Sequence, residues 1–170
     1  MEFKQALIFV EDFYEDMEFW YPYYRLQEEG YKVSIVAPQK GTTYTSKHGY
    51  PVVSDAVPGE IDIDSISIII VPGGYAPDKL RSYPEILDLL QKANSKGITI
   101  GTICHAVWVP ISAGITKGKT MTCVSAIKDD LINSGAKYVD EALVVDDNIV
   151  SSRTPDDLPE FVVGLIKNVL

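Results

Sequence analysis

The sequence predicts a layered α/β domain around a mainly parallel sheet, because short apolar runs alternate with stretches of helical spacing from end to end. Glycine or Pro-Gly punctuates the joins between them. The first run, Ala6-Leu7-Ile8-Phe9-Val10, reads as a strand. Beyond the acidic stretch from Glu11 to Asp16, the residues Met17, Trp20, Tyr21 and Tyr24 fall at i, i+3, i+4 and i+7 of a helix that Gly30 closes. Pro22 inside it predicts a kink. Lys32 to Val36 forms a second strand, and the threonine-, glycine- and tyrosine-rich segment from Gly41 to Val53 has the composition of a small hairpin excursion. Ile66 to Val71 reads as a buried strand that Pro72-Gly73-Gly74 ends abruptly.

The order continues in the second half. Ser82-Tyr83-Pro84-Glu85 predicts a capping box with a proline in the first turn, and Ile86, Leu89, Leu90 and Ala93 supply a buried stripe before Gly97. Ile98 to Ile103 is the next strand, followed by a helix from His105 to about Gly114. Cys123, in Met121-Thr122-Cys123-Val124, reads as an interior strand residue, and Arg153 ends a strand. Thr154-Pro155-Asp156-Asp157 is a start signal for a last helix, in which Leu158, Phe161, Val162, Leu165, Ile166 and Val169 keep the spacing that packs on a sheet.

Size and charge narrow the function. A chain of 170 residues, 46% of them hydrophobic, buries one core and reads as a single domain, residues 1–170. A net charge of -9 leaves no basic footprint, so nucleic acid is a poor partner. The longest apolar run, Ala6 to Val10, is too short to span a bilayer, and the start Met1-Glu2 carries no basic region before a signal core. The expectation is a soluble, cytoplasmic protein. Two cysteines and two histidines provide neither a disulfide framework nor a full set of zinc ligands, so no metal and no cofactor is expected.

The chemistry concentrates at Ile103-Cys104-His105. A thiol at a sharp strand-to-helix turn is lifted clear of its neighbours, and in an open α/β sheet that turn opens on the ligand crevice. His105 and the N-H groups of the following helix favour negative charge, so a depressed thiol pKa is expected. The paired glycines Gly73 and Gly74 let backbone N-H groups approach a reacting carbonyl, and the N-H of Gly74 with that of His105 forms a candidate oxyanion hole. Asp78 follows on the same loop as a carboxylate for a histidine of its own or a neighbouring subunit. An acid from Glu11-Asp12-Phe13-Tyr14-Glu15-Asp16, lodged beside the thiol, would have a raised pKa and could donate a hydrogen bond to sulfur. Residue chemistry leaves open which acid that is. His48 is either a loop residue or a group at the site mouth, and Arg153 is placed to pair a carboxylate.

These motifs together resemble the ThiJ/PfpI superfamily, and within it the PfpI-type intracellular protease branch. The resemblance spans nearly the whole chain and rests on Tyr14-Glu15-Asp16 with Tyr21-Pro22-Tyr23, Lys47-His48-Gly49-Tyr50, Pro72-Gly73-Gly74-Tyr75-Ala76-Pro77, Ile103-Cys104-His105, Ile127-Lys128-Asp129-Asp130 and Ser151-Ser152-Arg153. It implies a flavodoxin-like three-layer sandwich, akin to the class I glutamine amidotransferases. The implied site has Cys104 as nucleophile, Glu15 hydrogen-bonding its sulfur, oxyanion donors at Gly74 and His105, and a triad completed across a subunit interface by Asp78. The sequence departs from the branch at Asp78, where glutamate is common, and at Ala106, where glycine often follows the histidine.

Three functions compete. The first is a cysteine hydrolase of the PfpI type acting on peptides. The second is a deglycase or glyoxalase acting on methylglyoxal and its adducts. The third is a non-catalytic redox-sensing or chaperone-like stress protein. The substrate is accordingly a peptide or a small carbonyl compound. Amidotransferase chemistry is excluded because no histidine follows His105, and flavodoxin chemistry because no glycine- and serine-rich phosphate loop follows the first strand. The aromatic cluster Phe19, Trp20, Tyr21, Tyr23 and Tyr24, taken with the resemblance, leads to the expectation of a homo-oligomer, a dimer or hexamer, with the site near a subunit interface.

Overall fold

The computed structural model describes residues 4–169; the expectation drawn from Met1-Glu2 lies outside them. A six-stranded sheet forms the middle layer, from β1 (Gln5–Phe9), β2 (Lys32–Val36), β5 (Ile66–Val71), β6 (Thr99–Ile103), β9 (Val144–Asp146) and β10 (Ile149–Ser152). Their order is β2-β1-β5-β6-β10-β9, parallel throughout except for the antiparallel edge strand β9. The central strands are apolar on both faces, as helix-covered parallel strands must be: Ile68, Ile69, Ile70 and Val71 have no exposed surface. The chain runs from β1 outward to β2, then crosses to β5 on the other side. The switch point between β1 and β5 is where a crevice opens at the carboxyl ends of the strands.

Helices α1 (Asp16–Glu28), α3 (Pro84–Ser95) and α6 (Leu158–Lys167) cover the sheet, with short α2 (Ala76–Leu80), α4 (Trp108–Ser112) and α5 (Lys128–Asn133) between them. Two small pairs complete the fold: the antiparallel hairpin β3 (Thr43–Thr45) and β4 (Pro51–Val53), and the parallel pair β7 (Thr120–Met121) and β8 (Lys137–Tyr138). The flavodoxin-like three-layer arrangement is therefore the expected one.

Several local readings need correction. In α1 the stripe Met17, Tyr21 and Tyr24 faces outward, with Met17 and Tyr24 more than half exposed, and the buried face is Glu18, Phe19, Pro22 and Leu26. Rings pack on rings along this outer face, which imitates a core period: Trp20 stacks on Tyr24 at 5.7 Å and meets Tyr50 edge-on at 5.5 Å. The predicted capping box at Ser82 does not form. α3 starts one residue later, with Tyr83 at its N-cap, and the Ser82 hydroxyl donates instead to the Lys79 carbonyl. Its buried stripe is nonetheless Ile86, Leu89, Leu90 and Ala93. Cys123 is buried but lies in the loop beyond β7. Arg153, just past β10, pairs with Asp157 at 2.9 Å and Asp140 at 2.8 Å, so its partners are structural.

Candidate active site

Three strand ends converge at the switch point: the turn after β1 carrying Phe13, Tyr14 and Glu15, the Gly73-Gly74 turn after β5, and Cys104 directly after β6. The first two are stitched together by the N-H of Glu15 donating to the Gly73 carbonyl at 3.2 Å and that of Tyr75 to the Phe13 carbonyl at 2.9 Å. Gly74 is held there at φ +81° with the backbone of Phe13 to Glu15 pressed against its α-carbon, and among the described residues its own N-H has no acceptor.

Cys104 stands at φ +62°, a left-handed conformation that costs a non-glycine residue about 1 kcal/mol. Ile103 before it is extended, and a single 3-10 turn, Cys104–Val107, leads into α4. This is the sharp elbow expected of a displayed nucleophile. The helix that follows is shorter and tighter than expected, which weakens its pull on a thiolate. His105 lies beside the sulfur, with its Nδ1 3.3 Å from Sγ. Its ring meets Trp108 edge-on at 5.4 Å. Burial first, and the Lys47 charge second, hold the imidazole below its usual pKa, so it is neutral at pH 7.

The acid at the sulfur is Glu18, which sequence reasoning missed. It projects from the buried face of α1 with no exposed surface, and its carboxyl group lies beside the Cys104 side chain, the two flanking the α-carbon of Gly73. Glu18 Oε2 accepts the N-H of Gly73 at 2.7 Å, while Oε1 has no hydrogen-bond partner among the described residues. Glu15, the acid implied by resemblance, stands one helical turn away, with its Oε2 accepting from the Lys47 ammonium at 2.8 Å. Asp16 is occupied by the Ser46 hydroxyl at 2.5 Å and by His48 Nδ1 at 2.7 Å. Glu15, Asp16 and His48 are near enough together to suggest a cation site, but the ammonium of Lys47 already occupies Glu15. Asp78 is exposed on α2 and forms no side-chain hydrogen bond or ion pair among the described residues, so within one chain it does not orient His105.

The electrostatics reverse one expectation. Burial, and after it the charge of Glu18, push the Cys104 thiol up to about 12, rather than down. Burial also pushes Glu18 up to about 8. Both belong to a coupled pair that loses its first proton near pH 8 and keeps the second far beyond. Reactivity turns on which atom retains that second proton. A carboxylic acid donating to sulfur removes the repulsion that raises the thiol and stabilises a thiolate by hydrogen bonding.

Gly73 makes this contact possible. A methyl group on its α-carbon would sit 2.4 Å from Glu18 Oε2 and 3.0 Å from the Cys104 β-carbon. Gly73→Ala is therefore expected to lower the melting temperature and to separate acid from thiol, cutting the rate of Cys104 alkylation by iodoacetamide at pH 8; an unchanged rate would show that the contact does not govern the thiol.

Comparison with known proteins shows the family of the chain. The family model described as "DJ-1/PfpI family" matches residues 4–168. The chain is 40% identical over 154 residues to "Deglycase PfpI" of Pyrococcus furiosus, covering 91% of this chain and 92% of that one. It is 36% identical over 158 residues to "Putative cysteine protease YraA" of Bacillus subtilis, covering 93% and 94%. Among solved structures, Drosophila melanogaster DJ-1beta superposes with a TM-score of 0.91 at 27% identity, over 98% of this chain and 90% of that one. With the fold, the elbow and the sequence match in agreement, the chain belongs to the DJ-1/PfpI family.

Proposed function

We propose that the protein is a cysteine-dependent enzyme that converts 2-oxoaldehydes such as methylglyoxal, and their adducts on amines and thiols, to 2-hydroxy acids. The observation that carries this reading is the fully buried Glu18 carboxyl lodged beside an elbow cysteine, with one of its oxygens unpartnered among the described residues. Relatives named deglycases support it. Conversion of a 2-oxoaldehyde to a 2-hydroxy acid adds one water and moves an electron pair from C1 to C2 of one molecule, so no outside oxidant enters. The Cys104 thiolate adds to the aldehyde carbon, and the carbonyl pair moves to oxygen, where the N-H groups of Gly74 and His105 are the donors and Glu18 supplies a proton. Glu18, now a carboxylate, takes the C1 proton and delivers it to C2, while the hydroxyl proton on C1 passes to the C2 oxygen as C1 becomes the carbonyl of a thioester. Water then cleaves the C-S bond, releasing the hydroxy acid and the thiol.

Peptide hydrolysis is the second reading, favoured by His105 Nδ1 at 3.3 Å from Sγ, where it could protonate a leaving amine. It would need a carboxylate to orient the imidazole. A homo-oligomer that sets Asp78 of one copy against His105 of the next would supply one. Lactate release from methylglyoxal, amine release from a methylglyoxal-treated peptide and cleavage of a fluorogenic peptide, measured on one preparation, separate the readings. The first two activities without the third are expected; peptide cleavage alone would overturn the proposal.

A further inference from the structure

We propose that Lys47 is a specificity-determining residue of the Cys104 site, its ammonium receiving a carboxylate on the substrate, so that the preferred substrates are carbonyl adducts carrying a negative charge. This rests on the reading above and names the substrate class.

The position of Lys47 is built. It sits at the tip of the β3-β4 hairpin, where its N-H donates to the Tyr14 carbonyl at 3.0 Å. The neighbouring Ser46 hydroxyl gathers that tip, donating to Asp16 and accepting the N-H groups of His48 at 3.2 Å and Tyr50 at 2.9 Å. The side chain is one-third exposed. Its ammonium is fixed on two sides, by Glu15 Oε2 at 2.8 Å and by the exposed ring of Tyr75, whose centroid is 5.8 Å away. An ammonium has three N-H donors, and Glu15 takes one.

The charge faces the chemistry: it favours the anionic forms of both Glu18 and Cys104 and opposes protonation of His105. The two groups that hold it, Glu15 and Tyr75, are residues of the turns after β1 and β5, which also frame the thiol. Such a cation, in a protein of net charge -9, is a local exception to the overall field. A neutral dicarbonyl gains nothing from it. A substrate whose carboxylate lies a few bonds from the reacting carbon gains a charge-assisted hydrogen bond.

The test uses pairs of reagents that differ by one charge. Iodoacetate and iodoacetamide alkylate the same thiolate, so the ratio of their rates cancels the thiol pKa and reports attraction for an anion. Lys47→Met is expected to lower the iodoacetate-to-iodoacetamide ratio about fivefold, and Lys47→Arg to keep it. In the unaltered protein, added salt should lower the ratio. A ratio within twofold of the original in Lys47→Met, or one that rises with salt, would overturn the role of Lys47; the salt series decides even if the variant fails to fold. Turnover of the methylglyoxal hemithioacetals of N-acetylcysteine and of its amide then tests the substrate class. A preference for the carboxylate in kcat/KM that disappears in Lys47→Met supports it, and equal values in the unaltered protein sink it. Absence of turnover with both would refute the enzymatic reading while the alkylation ratio still judged Lys47.

Discussion

Exchanging Cys104 for serine is expected to reduce lactate formation from methylglyoxal at least about 10³-fold while leaving the fold intact. A hydroxyl at the elbow keeps the size and the φ of +62°, but its proton is held far more tightly than a thiol's, so neither Glu18 nor a neutral His105 can expose a nucleophile. Gly74 and His105 would still offer their N-H groups, which is why a small residual rate over solution is expected rather than none. The measurement is turnover beside a thermal melt. Turnover within tenfold of the unaltered protein, with an unchanged melt, would remove sulfur from the mechanism.

The second large effect belongs to Glu18→Gln, expected to lower turnover about 10²-fold, the ordinary worth of a positioned acid and base. Three readouts distinguish its role from mere packing. Alkylation of Cys104 by iodoacetamide in the unaltered protein should rise with pH around about 8, where the pair loses its first proton. In the variant, an amide donates more weakly to sulfur than a carboxylic acid, so the rise should move to higher pH. Stability should also change its pH dependence. Glu18 titrates at about 8 in the folded protein against an ordinary value of 4.5, so the folded state binds more protons over that window. Its contribution is complete below the lower value and is lost as pH rises through the upper one. The variant has no such proton to lose, and its melting temperature should gain on that of the unaltered protein as pH increases. Parallel melting curves across the window, with an unmoved alkylation profile, would show that Glu18 does not hold the proton.

Much of the framework was legible because its signals were local. Lys32 to Val36 and Ile66 to Val71 are isolated apolar runs with clear breakers, and the observed strands match them residue for residue. Cys104 was legible for the same reason: a strand, a reactive side chain and a turn adjoin in sequence. Glu18 was not, since its meaning depends on which face of α1 is buried, and the outward ring stack on that helix carries the same periodicity as a core. A signal did exist in Glu18, Pro22 and Leu26, spaced at i, i+4 and i+8, with an acid occupying a core position. The resemblance selected Glu15, three residues earlier, which serves the lysine at the mouth instead. The direction of the thiol shift failed because it was argued from a helix terminus, while burial dominates.

Phe13 at φ +64°, Gly74 at +81° and Cys104 at +62° place one left-handed residue in each of the three turns around the sulfur. Of these, glycine alone occupies that region without penalty. The molecule thus concentrates its conformational tension where substrate arrives, and its isoleucine-rich interior must hold a surplus of cohesion to keep the turns cocked. Engineering for heat resistance would find relief at position 13, whose side chain points to solvent, but the same relief at position 104 would disarm the protein.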